Sequence, residues 1–201
     1  IAASDAGITP IVRVPGFQHF HATRVLDGGA MGVVFPHVDS AEIAKELANF
    51  CRYPPRGHRS VVGALPQIDF SSIPVSEAAE AINDAILVVV MLESPEAIEN
   101  VDAIAAVEGV DVLLVGTGDL TMEMGIPGKV DSPRVVSAYE KVISACRAHG
   151  KYPGLGGVYQ PDLMERYIGM GMRFILATND LAMMMQASTQ RASFLRNLSV
   201  A

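Results

Sequence analysis

The longest apolar run in the chain, Ala85 to Leu92, is nearly all β-branched residues and leucine. It is far too short for a membrane-spanning helix, which needs about 20 such residues. It suits a β-strand buried on both faces, as in a parallel sheet covered by helices. If that reading holds, similar short apolar runs should recur, separated by helical segments.

They do. Strands are expected at residues 10–14, 32–35, 86–92, 112–115, 153–157 and 173–177. Helices are expected near 20–26, 40–51, 76–83, 95–107, 133–149, 161–170 and 180–197. Ser40 stands where an N-cap is wanted, and Ala41, Ala44, Leu47 and Ala48 share one face of the helix behind it. Pro95 suits a first helical turn, and Gly150 the position just past a helix end. Residues 53–74 are rich in Pro, Gly and Ser and form a long excursion over one end of the sheet. No linker divides the units, so residues 1–201 are expected to form a single domain. Periodicity alone leaves two α/β architectures open: an open doubly wound sheet, or six of the eight units of a (β/α)₈ TIM barrel.

Composition narrows the partners. Half the 201 residues are hydrophobic and 18% are charged, enough apolar surface for a large core. A formal net charge of −7 disfavours nucleic acid and anionic membranes as partners. Cys51 and Cys146 lack metal-ligand spacing and read as reduced thiols of a cytoplasmic protein. Residues 1–5 have neither a basic nor an apolar export segment.

Chemistry in such folds gathers at the carboxyl ends of the strands. Three of the expected strands end in polar residues: Arg13, Glu93, and Asp119 in Gly116-Thr117-Gly118-Asp119. Singly, each has an ordinary reading: Glu93 as a helix cap, Asp119 in an Asx-turn, Arg13 in a salt bridge. Jointly, two carboxylates on adjacent strand ends make a hard-oxygen site for Mg²⁺ or Mn²⁺, with Arg13 as a fixed positive charge on the same rim. Gly116 and Gly118 would let backbone N–H groups approach an anion; the absence of a third glycine at Thr121 speaks against a dinucleotide loop. His37 and His58 are candidates to line the rim, and Met183-Met184-Met185 to fill a core or an interface.

The segments Pro10-Ile11-Val12-Arg13-Val14-Pro15, Phe35-Pro36-His37-Val38, Arg52-Tyr53-Pro54-Pro55-Arg56-Gly57-His58-Arg59, Leu92-Glu93-Ser94 and Gly116-Thr117-Gly118-Asp119-Leu120 occur in one order along the chain. Together they resemble the metal-dependent 4-hydroxy-2-oxoheptanedioate and 2-dehydro-3-deoxyglucarate aldolases, of the HpcH/HpaI aldolase/citrate lyase family. The resemblance implies a TIM barrel of the phosphoenolpyruvate/pyruvate-binding type, assembled as a hexamer with the C-terminal helix at 180–198 exchanged between subunits. It also implies Mg²⁺, Mn²⁺ or Co²⁺ held by Glu93 and Asp119, and pyruvate chelating the metal. Arg13 would contact the ketone oxygen, and the backbone at Gly118 and Asp119 would receive the carboxylate. The implied reaction is reversible cleavage of a 4-hydroxy-2-oxo acid to pyruvate, or a close analogue, and an aldehyde.

Two departures stand out. Met91 replaces a glutamine usual in the family, and the first two βα units are not represented. The second of those units carries the family's acidic-histidine pair for proton transfer. The rival readings are a citryl- or malyl-CoA-type lyase, and a homologue that binds pyruvate or metal without turnover.

Overall fold

The computed structural model describes residues 1–61, 63 and 65–199; positions 62, 64, 200 and 201 of the expected single domain lie outside them. Six strands form one parallel sheet in sequential order: β1 (Ile11–Arg13), β2 (Gly32–Phe35), β3 (Leu87–Leu92), β4 (Val112–Gly116), β5 (Tyr152–Gly156) and β6 (Phe174–Ile175). A doubly wound sheet reverses its strand order at a switch point. The sequential order has no such reversal and decides against it.

Alternation along each strand sorts side chains onto two faces. Val33, Phe35, Val88, Val90, Leu92, Leu113, Val115 and Leu155 enter the large core shared with the helices. Val34, Val89, Met91, Val112 and Leu114 form a separate cluster on the other face. Ile11 of β1 and Phe174 of β6, from the two edges of the sheet, both pack against that second cluster. Opposite edges can share one cluster only if the sheet curls toward it. The architecture is a curled, six-strand parallel half-barrel with helices outside.

The helices are α1 (Ala2–Asp5), α2 (His19–Asp27), α3 (Ala41–Cys51), α4 (Val75–Ala85), α5 (Pro95–Glu99), α6 (Val101–Ala105), α7 (Thr117–Glu123), α8 (Pro133–His149), α9 (Pro161–Met170) and α10 (Asp180–Arg196). Ser40 caps α3, its hydroxyl accepting the Ile43 N–H, and Gly150 ends α8 at φ 67°. The single helix expected over 95–107 is two. It breaks at Asn100, whose side-chain amide donates to Asp39 O at 2.7 Å and anchors the loop after β2. The sixth strand is shorter than expected; among the described residues no strand pairs beyond it. α7 was not anticipated, because two glycines flank its first residue.

The excursion after α3 crosses the amino ends of the strands. There the guanidinium of Arg52 donates to Asn83 O, to Ile86 O (3.0 Å), to Gly109 O (3.1 Å) and to Asp111 Oδ2 (2.5 Å). His58, whose N–H donates to Asn49 O, belongs to this end and not to the opposite rim, correcting the expectation for it. No helix among the described residues is long and apolar enough to cross a membrane.

Candidate active site

Glu93 follows β3 by one residue and continues the inward series Val89, Met91. It does not cap the next helix. That task falls to Ser94, whose hydroxyl accepts the Ala97 N–H and donates to Asp39 Oδ1 at 2.5 Å. Glu93 is therefore free to turn into the mouth of the half-barrel, where it is buried.

Its neighbours are specific. The His37 backbone N–H donates to Glu93 Oε2 at 2.8 Å, and His37 Nδ1 lies 3.3 Å from the same oxygen. With that N–H turned to Glu93, His37 adopts φ 52°, a left-handed conformation seldom taken by a side-chain-bearing residue. The loop is held by Val38 N–H donating to Met91 O. On the far side is Gly116, where a Cβ would stand 2.5 Å from Glu93 Cγ. Any side chain at position 116 would evict the carboxylate.

Asp119 lies in the first turn of α7, exposed, and near enough for its charge to act on the Glu93 carboxylate. Burial pushes the Glu93 carboxyl above its ordinary range; the His37 N–H and ring pull it back, and the negative charge of Asp119 raises it again. Two carboxylates so placed repel each other unless a proton or a cation lies between them. Among the described residues no third His, Cys, Asp or Glu completes a ligand cluster. Two carboxylates with open positions suit a hard divalent ion that keeps water or substrate oxygens, and do not suit a closed four-ligand zinc site. The donor set and the room left by Gly116 fit Mg²⁺ or Mn²⁺.

Arg13 ends β1 and shares the inward face with Ile11. Its side chain is exposed and has no ion-pair partner among the described residues. Gly118 is also exposed, with open space where its Cβ would be. Gly157, at φ 81°, packs against the turn so closely that a Cβ would lie 2.9 Å from Gly118 N.

The site thus stands at the carboxyl ends of β1, β3 and β4. Residues 1–188 match the HpcH/HpaI aldolase/citrate lyase family. The chain belongs to that family. It is 45% identical over 183 residues to a 4-hydroxy-4-methyl-2-oxoglutarate aldolase of Hapsidospora irregularis, covering 87% of this chain and 66% of that protein. It is 42% identical over 196 residues to another of that name from Chaetomium globosum, covering 94% of this chain and 71% of the relative. The crystal structure of an HpcH/HpaI aldolase from Desulfitobacterium hafniense superposes with a TM-score of 0.92 at 32% identity, over 98% of this chain and 76% of that one. This family member therefore spans between about two thirds and three quarters of the length of the relatives it matches. Two features of this site are not legible in the sequence: the His37 backbone donor and the burial of Thr117. Neither a backbone N–H nor a single threonine carries a sequence signal.

Proposed function

We propose that the protein is a metal-dependent pyruvate aldolase, a class II carbon–carbon lyase. It cleaves a 4-hydroxy-2-oxo acid reversibly to pyruvate, or a close analogue, and an aldehyde. The observation that carries this reading is the pair of facing carboxylates, Glu93 and Asp119, on the rim that also bears Arg13. The names of the aldolase relatives support the substrate class.

The hard step is loss of a proton, or of an aldehyde, from the carbon next to a ketone, which leaves charge on the ketone oxygen. A Mg²⁺ or Mn²⁺ ion (Co²⁺ is a third candidate) held by Glu93 and Asp119 would act there as a Lewis acid. Arg13 supplies guanidinium donors to the same developing charge; with no competing ion pair, its donors are not already committed. The backbone N–H groups at Gly118 and Asp119 receive the substrate carboxylate, and Gly116 leaves room for the Glu93 side chain. The raised carboxyl of Glu93 ties metal loading to pH: acid protonates it and empties the site.

For assembly, we propose that the six strands are part of an eight-stranded barrel and that α10 docks on a second subunit in a hexamer. α10 has no buried residue, and Leu181, Met184, Met185, Phe194 and Leu195 are all more than half exposed. Sedimentation of the chain as a 21.4 kDa monomer at micromolar concentration would refute this assembly.

The functional test is pyruvate release, with and without a chelator, from 4-hydroxy-2-oxopentanoate, and from 4-hydroxy-4-methyl-2-oxoglutarate, whose tertiary alcohol would release a ketone (a second pyruvate) in place of the aldehyde. Turnover should vanish on chelation and return with Mn²⁺. Arg13→Ala should lower kcat by ~10²–10³-fold with a smaller change in KM, the loss typical of one oxyanion donor. Undiminished turnover in chelator, or a lysine adduct trapped by borohydride, would overturn the reading.

A further inference from the structure

Asp119 is carried where β4, whose Gly116 pairs with Gly156 of β5, passes into the first turn of α7. Gly116 and Gly118 offer no side chains, and glycine backbone is intrinsically permissive. Among the described residues no N–H or O–H donates to the Asp119 carboxylate. The one side chain between the two glycines is Thr117, fully buried, with Oγ1 2.5 Å from the Tyr139 phenol oxygen. Tyr139 belongs to α8 and is itself fully buried, its ring centroid 4.3 Å from that of Tyr167 on α9. The Tyr167 hydroxyl donates to Val130 O at 2.6 Å. A rigid chain of contacts thus runs from α9 through α8 to the residue that opens α7. Thr121 makes a second tie, donating to Gly118 O at 2.8 Å and accepting the Gly128 N–H at 3.2 Å, but it fixes the turn after Thr117 and not before it.

We infer that Tyr139 is a positioning residue for the metal carboxylates, acting through Thr117 to hold the Gly116–Asp119 turn in register with Glu93. The inference rests on reading Glu93 and Asp119 as metal ligands. Ligand oxygens need placement to within about 0.5 Å, and a turn flanked by glycines does not supply that by itself. The competing account is that the hydroxyl pair merely satisfies two buried polar groups.

Tyr167 separates the two accounts. Tyr167→Phe deletes a hydrogen-bonded hydroxyl from the same aromatic pair and leaves the tie to Thr117 intact. The experiment titrates free Mn²⁺ by electron paramagnetic resonance into the wild type, Tyr139→Phe and Tyr167→Phe, with thermal unfolding in chelator run beside it. Tyr139→Phe should weaken Mn²⁺ binding by about 10-fold or more, the range seen when groups supporting a ligand are removed. Tyr167→Phe should bind as the wild type does, whatever stability it loses. Thr117→Val, which removes the other half of the pair, should repeat the Tyr139→Phe loss and serves if that variant does not fold. Equal affinity in Tyr139→Phe and wild type would overturn the inference, as would equal weakening in both tyrosine variants. A wild-type protein that binds no Mn²⁺ would instead overturn the metal reading on which it rests.

Discussion

At the amino ends of β3 and β4, Arg52 meets Asp111 at 2.5 Å, and three backbone carbonyls accept three more of its N–H groups. Asp111 Oδ2 also accepts the Val88 N–H at 2.7 Å, and the side chain of Asn83 both accepts from and donates to the backbone of Tyr53. At the carboxyl ends of the same two strands, Glu93 faces Asp119, like charge to like, with His37 in a left-handed conformation beside them. One end is opposite in charge and richly hydrogen-bonded. The other concentrates negative charge and retains open space. A barrel strand commonly divides its labour so, with conserved stability at the amino end and chemistry at the carboxyl end. Here the division falls on two strands whose bodies are equally buried, so the difference lies in what terminates them.

Removing Arg52 should produce the largest effect. Its side chain is 5% exposed, and its loss strands the Asp111 carboxylate and three carbonyls together. Breaking a fully buried ion pair by deleting one partner typically costs ~3–5 kcal/mol, and with Asp111 29% exposed and still bonded to Val88 N–H the loss should lie at the lower end of that range. Arg52→Ala should lower the urea midpoint accordingly while leaving the metal affinity of the folded fraction unchanged. A stable Arg52→Ala protein with weakened metal binding would erase the distinction between the two ends.

The same chemical change made at both ends sharpens it. Asp111→Asn keeps an acceptor for Val88 but removes the charge that Arg52 needs, at a cost of ~1–3 kcal/mol, the scale of a hydrogen bond to a charged group. Asp119→Asn removes a repelling charge from an exposed position, so its unfolding free energy in chelator should move by less than ~0.5 kcal/mol. Metal affinity should respond in the reverse order, falling for Asp119→Asn and unmoved for Asp111→Asn. Parallel denaturation and Mn²⁺ titration of the two variants decide the matter.

The strand ends were legible in the sequence because polar residues there interrupt apolar runs. Arg13, Glu93 and Asp119 each close such a run, and the curl of the sheet then brings those ends to one rim. The amino end was less legible. Arg52 through Arg59 were visible as a motif, but a motif does not say which end of the sheet it serves, and His58 was expected on the wrong one. The break at Asn100 depends on a carbonyl 61 residues earlier in the chain. No local pattern encodes that. α10 was legible as a helix, since apolar and capping residues mark it, but its exposed surface shows only in three dimensions.

A substitution at Glu93 has the opposite sign to that at Arg52. Burial and Asp119 together raise the Glu93 carboxyl above its ordinary value in the folded protein. A raised acid contributes stability that is fully present below its unfolded pKa and is lost as pH rises through the folded one. At neutral pH the metal-free protein therefore carries an ionised Glu93 that its surroundings disfavour. Glu93→Gln removes that charge, and its amide oxygen can still accept the His37 N–H. In chelator at neutral pH the variant should melt at a higher temperature than the wild type. The advantage should shrink as the pH falls and the wild-type carboxyl takes up its proton. Mn²⁺ should reverse the order. An ion at 100 times its dissociation constant adds about 2.7 kcal/mol to a protein that binds it, and Glu93→Gln should gain much less. A Glu93→Gln variant less stable than wild type in chelator would mean that Glu93 holds the mouth of the half-barrel together. The contrast between the two ends of the sheet would then fail at its most buried carboxylate.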